Sequence, residues 1–188
     1  MKCEKIRIEN RFVIYKKIYR KIRSARLEFE NGTLNVILPE NYWNGDTLIN
    51  QHRRWILKQI ERFDEIQKRA KCLTINKNAN IITFQNFVNE KISVFARELN
   101  VSVSQIKFKK LKSRWGSCSS DGEIIINTIL MFLPERYIEY IVFHEVLHRI
   151  EKRHNKKFYT LLKDKFPDRE IIEKNLSAYW YILSNKKG

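Results

Sequence analysis

The stretch of sequence that decides the fold is HEVLHRIEKRH, residues 144–154, which holds three of the four histidines of the chain. His144 and His148 are four residues apart, and Glu145 follows the first of them directly. On a helix, positions i and i+4 lie on one face, about 40° apart around the axis. Two imidazoles in this arrangement can bind one metal ion, and the adjacent carboxylate can reach a water on that ion. The spacing therefore predicts a metal-binding helix.

The third histidine of the stretch completes a ligand set for Zn²⁺. His154 lies six residues after His148, so the chain must turn near Lys152 to return this imidazole to the ion. Three protein ligands leave one tetrahedral position for water, which is typical of hydrolytic zinc sites, whereas four ligands are typical of structural ones. We therefore predict that His144, His148 and His154 bind Zn²⁺ and that Glu145 is the catalytic general base for peptide-bond hydrolysis.

The hairpin that precedes this helix is predicted to bind the substrate, because a peptide needs an open strand edge to align against. Gly116 falls within a strand pattern and suggests a bulge at that edge, and Asp121-Gly122 is a hairpin turn signal. The candidate substrate-binding residues are Arg114, Trp115, Gly116 and Asn127. The candidates for the donor that stabilises the developing negative charge are Arg114, Asn127 and Tyr179.

Periodicity predicts the remaining elements. Residues 5–38 read as strands with an Asn31-Gly32 hairpin turn, and residues 46–71 as a helix capped by Asn44 or Asp46. The later elements are a helix over 82–99, strands within 103–127, the metal helix from Pro134 to about Glu151, a helix over 156–166 capped by Asn155, and a last helix after Pro167. The metal helix is expected to bury one apolar face and to turn Tyr140 and the histidines the other way.

Composition limits the class of protein. The chain has 188 residues, 43% of them hydrophobic, which is enough for one domain with a small appendage. Its net charge of +16 favours acidic partners, nucleic acid among them, although a lysine-rich proteome gives the same excess. The odd set Cys3, Cys72 and Cys118 has no CxxC pair, which indicates a reducing environment. Without a secretory signal or a long apolar run, we expect a soluble, cytoplasmic protein with no membrane partner.

The motifs together resemble a known family. The segment from Lys112 to Ser120, KSRWGSCSS, followed by Ile126-Asn127 and the metal helix, resembles the YgjP-like metallopeptidases, which are related to the SprT-like and gluzincin-type proteases. The resemblance covers about residues 100–175 and includes the aromatic pair Phe158-Tyr159. Arg153 stands where the family usually has Asn, and Tyr159 where it usually has Trp. These departures bear on substrate preference more than on metal binding.

The resemblance implies an α+β fold with a zincin-like core, in which a small antiparallel sheet packs on the HExxH helix and flanking helices. We expect an N-terminal β-hairpin and helix appendage over residues 1–75 and the metallopeptidase domain over residues 76–188. The implied activity is that of a zinc metallopeptidase acting on peptides or unfolded protein.

Two alternatives stay open from the sequence. The first is a nucleic-acid-associated protease that acts on DNA-bound proteins, because basic runs such as residues 107–114 accompany the +16 charge. The second is a non-catalytic zinc-containing binding module, which would hold zinc with four protein ligands. Glu145 argues against the second, since a structural site does not need that carboxylate.

Overall fold

A computed structural model describes residues 3–41 and 45–185, so the predicted cap Asn44 lies outside the described residues. The chain forms two compact units, Met1–Lys71 and Cys72–Gly188. Within the described residues, none of the helices has both the length and the apolar composition needed to cross a membrane.

The first unit is a four-stranded sheet with helices on one face. Its elements are β1 (Glu4–Ile8), β2 (Arg11–Arg20), β3 (Arg26–Glu30), β4 (Thr33–Pro39), α1 (Gly45–Gln51) and α2 (Arg53–Cys72). The strand order is β1-β2-β4-β3, with two antiparallel hairpins joined by the parallel pair β2 and β4. Asn31 and Gly32 both have positive φ, 49° and 80°, which confirms the predicted turn between β3 and β4.

The core of the first unit lies on one side of its sheet. Alternate strand residues meet apolar residues of α1 and α2 there; the buried set is Ile8, Val13, Tyr15, Leu34, Val36, Leu38, Ile49 and Ile56. The single helix predicted over 46–71 is wrong, because the helix is interrupted at His52. The amide of His52 donates to the carbonyl of Ile49, three residues back, and this tight turn separates α1 from α2.

The second unit places a small sheet beside four helices. Its elements are α3 (Ile81–Glu98), β5 (Gln105–Lys109), β6 (Gly116–Cys118), β7 (Glu123–Asn127), a 3₁₀ helix (Thr128–Phe132), α4 (Glu135–Leu147), α5 (Lys156–Lys165) and α6 (Arg169–Asn185). The predicted mixed α+β class is confirmed. The sheet itself has the order β5-β7-β6, in which β6 and β7 are antiparallel but β5 and β7 are parallel. The expectation of a wholly antiparallel sheet was therefore wrong for β5.

The metal helix α4 runs through the core of this unit. Eight of its 13 residues are buried: Ile138, Tyr140, Ile141, Val142, Phe143, Glu145, Val146 and Leu147. Burial on almost every side differs from the predicted single apolar face, and Tyr140, which was expected to point away from the core, is only 2% exposed. The helix ends at Leu147 because the amides of Arg149 and Ile150 donate to carbonyls three residues back. Early termination leaves residues 148–155 to form the turn.

Candidate active site

Three histidine side chains converge at the end of α4. The Nε2 atom of His154 lies 3.0 Å from Nε2 of His144 and 3.1 Å from Nε2 of His148. Hydrogen bonding alone would require His154 to share one N–H between two acceptors, an arrangement with poorer geometry than a single direct bond. Two nitrogen ligands of one tetrahedral zinc ion, each about 2.0 Å from it, lie about 3.3 Å apart. The three nitrogens therefore fit a single metal ion.

The surroundings hold these imidazoles in ligand geometry. Nδ1 of His148 lies 3.1 Å from the carbonyl oxygen of Glu151, and donation to that oxygen leaves Nε2 free to bind a metal. The ring of Phe158 packs against all three histidines, at centroid distances of 4.8 to 4.9 Å. Asn155 accepts from the amide of Phe158 at 3.0 Å and so caps α5, as predicted. This cap fixes Phe158 one turn after His154.

Burial favours the neutral form of His144 and His148. It is the main cause that lowers the pKa of His144 to about 3, and the neighbouring imidazoles of His148 and His154 lower it further. Burial also lowers the pKa of His148, against the opposing hydrogen bond to Glu151. Neutral imidazoles have a free nitrogen lone pair, which metal binding requires. A set of three imidazoles suits zinc and also other divalent transition metals.

Glu145 is one of two buried polar residues among those the structure describes, with 6% of its surface exposed. Burial raises its pKa to about 8, while the positive charge of Arg114 acts in the opposite direction. A carboxyl group whose pKa lies near neutrality can both accept and return a proton at physiological pH. Its burial and its place next to His144 make Glu145 a candidate for proton transfer at this site.

The edge strand β6 passes directly over Glu145. A Cβ atom on Gly116 would lie 2.9 Å from both Cγ and Oε1 of the glutamate, so a side chain does not fit there without displacing it. Gly116 pairs with Ile126 and Cys118 with Ile124 in a regular antiparallel ladder, so the predicted bulge is absent. The glycine is required by close approach rather than by a bulge.

Replacing Gly116 with alanine is therefore expected to disturb both stability and activity. The added methyl group overpacks Glu145, which costs about 1–3 kcal/mol in the free energy of unfolding unless the carboxylate moves. We expect urea denaturation to show this loss and kcat to fall with it. Ser117→Ala on the same strand is the matched control. A Gly116→Ala protein with unchanged stability and kcat would contradict the close approach.

Asn127 holds the loop that carries Arg114. Its side chain is fully buried; Nδ2 donates to the carbonyls of Leu111 and Arg114 at 3.0 and 2.8 Å, and Oδ1 accepts from the amides of Leu111 and Ile129 at 3.2 Å. All four hydrogen-bonding positions of the amide group are thus occupied. Its role is then to position the 111–114 loop, whereas Arg114 itself is exposed.

The other candidate residues occupy different environments. Trp115 is half-buried, and its ring packs edge-on against Trp180 at 4.7 Å. Tyr179 is buried and its hydroxyl donates to the carbonyl of Thr74 at 3.2 Å, so it does not face the histidines through that group. Burial raises the pKa of Cys118. A raised pKa disfavours the thiolate form that a nucleophile requires.

Sequence reasoning missed the basic border of this site. Lys152, Arg153, Lys156 and Lys157 flank His154 on the turn and at the start of α5, and all four are exposed. The sequence KRHNKK, residues 152–157, could have indicated this basic border. Lysines at the N-terminus of a helix interact unfavourably with the helix dipole, so helix stability does not explain their position.

Comparison with known proteins places this site in a family context. The sequence model of the YgjP-like metallopeptidase domain matches residues 82–179. A UTP pyrophosphatase of Escherichia coli (strain K12) is 38% identical over 63 residues, which are 34% of this chain and 34% of that protein. The chain therefore matches about a third of the length of this curated relative.

Two solved structures of metallopeptidase zymogens are also similar. Jannalysin of Methanocaldococcus jannaschii has a TM-score of 0.43 at 24% identity and covers 50% of this chain and 96% of its own. Abylysin of Pyrococcus abyssi has a TM-score of 0.42 at 19% identity and covers 53% of this chain and 95% of its own. The family match spans more than half of the 188 residues and includes the three histidines, Glu145 and the β6–β7 hairpin. The chain belongs to the YgjP-like metallopeptidase family.

Proposed function

We propose that this protein is a zinc-dependent peptidase in which His144, His148 and His154 bind the metal and Glu145 is the general base. The convergence of three Nε2 atoms carries the proposal, because three imidazole nitrogens this close together can bind one metal ion. When bound, zinc would polarise the scissile carbonyl and lower the pKa of the attacking water.

The protein residues have separate tasks in this mechanism. Glu145 accepts a proton from the attacking water and donates it to the leaving amine. Burial raises its pKa, which makes the carboxylate a stronger proton acceptor. The outer edge of β6 is unpaired in the three-stranded sheet and can add a peptide as a further strand. Arg114, on the loop held by Asn127, supplies positive charge near Glu145 and is the candidate donor to the developing oxyanion.

The test uses the full chain and an unfolded, fluorescently labelled casein. We expect about one zinc ion per chain by metal analysis, and cleavage that a chelator abolishes and added zinc restores. A purified protein that holds zinc yet leaves casein, and a mixture of other unfolded proteins, uncleaved would contradict the peptidase proposal.

A second candidate is hydrolysis of a nucleoside triphosphate. It is favoured by the 38% identity to a UTP pyrophosphatase and by the exposed cations Lys152, Arg153, Lys156 and Lys157 beside His154. Cations bordering a metal site match the charge of a triphosphate. In this reaction water attacks the α-phosphorus, its proton passes to Glu145, and pyrophosphate leaves.

Incubation of the same preparation with UTP distinguishes the two reactions. UMP and pyrophosphate without casein cleavage would favour the pyrophosphatase, and the reverse result would favour the peptidase. Lys156→Gln with Lys157→Gln is expected to raise KM for UTP, because both ammonium groups would attract the triphosphate. Lys163→Gln, on the last turn of the same helix, is the matched control.

We keep two further alternatives, a protease associated with nucleic acid and a non-catalytic zinc-containing binding module. The buried, general-base-like Glu145 beside the histidines supports a catalytic site over a purely structural one.

A further inference from the structure

Strands β1 and β2 leave one side of the first unit's sheet exposed, whereas Ile37 on the same side of β4 is buried. Val13, Tyr15, Leu34 and Val36 point to the buried core with α1 and α2, so the alternate residues of β1 and β2 point the opposite way. We call the residues on that opposite side the outer sheet face: Lys5, Arg7, Phe12, Ile14 and Lys16. Phe12 has 74% of its surface exposed and Ile14 has 43%.

Cations and apolar side chains lie side by side on this face. The strand register pairs Lys5 with Ile14 and Arg7 with Phe12, and Lys16 follows Ile14 on β2. Directly paired side chains on one sheet face lie about 5 Å apart, so each apolar group has a positive charge next to it. Because most of the Phe12 side chain is exposed to water, its ring adds little hydrophobic stabilisation to the fold.

The charges of the outer sheet face are not neutralised within the described residues. Lys5, Arg7 and Lys16 form no ion pair with the acidic side chains of residues 3–41 and 45–185. Cations of the same strand that face the core side are paired, since Arg11 contacts Asp64 at 2.5 Å and Lys17 lies 3.6 Å from Glu4. Residues 1–71 also carry 17 Lys and Arg against nine Asp and Glu.

We propose that the outer sheet face binds single-stranded nucleic acid, with a base stacked on Phe12 and phosphates bound by Lys5, Arg7 and Lys16. Sheet surfaces bind single strands in this way because every base has a face that stacks on an aromatic ring, while the neighbouring cations track the backbone. This binding does not depend on the hydrolytic reaction of the second unit.

The geometry favours a nucleic acid over the other anionic partners. An acidic peptide supplies charge but has no regular series of flat rings to stack on an exposed phenylalanine. A membrane surface favours an amphipathic helix with an apolar side that inserts, whereas here apolar and basic groups alternate across a sheet. Every nucleotide of a nucleic acid supplies both a negatively charged phosphate and a flat base.

The experiment measures binding of the full chain to a fluorescent oligothymidine of about 20 nucleotides, by anisotropy at several salt concentrations. Three phosphate contacts predict a slope of about −2 for log K against log salt. Phe12→Ala is expected to weaken binding about 5- to 150-fold by loss of one stacked base. Lys16→Gln is expected to make the slope shallower by about 0.7.

Matched controls separate this face from general charge. Tyr19→Ala removes an exposed aromatic ring from the other side of the same strand, and Lys58→Gln removes an exposed cation from α2. Both should leave the affinity nearly unchanged. Absence of salt-dependent binding by the wild type, or an equal loss for Tyr19→Ala and Phe12→Ala, would overturn the proposal. So would a Phe12→Ala protein that binds normally but loses self-association in sedimentation, because the face would then join copies of the chain.

Discussion

The Glu145→Gln protein is expected to bind as much metal as the wild type and to hydrolyse substrate about 10²- to 10⁴-fold more slowly. Glutamine has nearly the shape of glutamate, so the packing under Gly116 is preserved. The amide cannot accept the proton of the attacking water, which removes general-base catalysis. Metal analysis and the rate of hydrolysis, measured on one preparation, check the two parts of this expectation.

The same variant also bears on the competing readings. A peptidase and a pyrophosphatase both need a base, so either activity should fall. A structural metal site predicts no change in any property except stability. Undiminished hydrolysis by Glu145→Gln would exclude the general-base role, whichever substrate is used.

The His154→Ala protein is expected to lose metal and activity together. Removal of a residue that only hydrogen-bonds to a metal ligand typically lowers metal affinity about 10- to 100-fold. Because we propose His154 as a direct ligand, we expect its loss to lower the affinity by more than about 100-fold. We expect substoichiometric zinc in the purified variant and hydrolysis near the detection limit. Competition with a chromogenic chelator measures the affinity.

His52→Ala is the matched control for this substitution. His52 lies between α1 and α2 in the first unit, with its Nδ1 2.9 Å from the carbonyl of Leu48. Its removal should leave the zinc content unchanged. Full zinc occupancy in His154→Ala would show that two histidines and another group hold the ion.

The cluster of three histidines could be predicted because the residues that form it are close together in the sequence. The i, i+4 spacing of His144 and His148 places both imidazoles on one helix face, and Asn155 is a recognisable cap that ends the turn. The structure brings the third imidazole to the other two, as the spacing required.

The surroundings of the cluster could not be predicted, because they depend on contacts between distant segments. The close approach of Gly116 to Glu145 joins residues 29 positions apart, and a glycine in a strand is read equally well as a bulge. The sequence alone does not distinguish an Asn127 that contacts a substrate from one that holds a loop by hydrogen bonds. Arg149, within the motif itself, donates to the carbonyls of Ser102 and Ser120 at 3.0 and 2.8 Å, which no local pattern indicates.

Strand direction was the weakest part of the fold prediction. Hairpins have a turn signal such as Asn31-Gly32, whereas parallel pairs such as β5 with β7 have none, because their connection is long. A tight turn inside a segment with helical periodicity also has no sequence signal of its own. The break between α1 and α2 at His52 was therefore not predicted.

The parallel pairing of β2 with β4 has a consequence for the order of folding. The β1–β2 and β3–β4 hairpins each close over a short turn, an event of about 1–10 μs for an isolated hairpin. Joining them requires β2 and β4 to meet across the intervening residues, which has a larger loop-closure entropy and no turn to guide the register. The central pair of the sheet is thus the one expected to form last, and two preformed hairpins are the natural intermediates in its assembly.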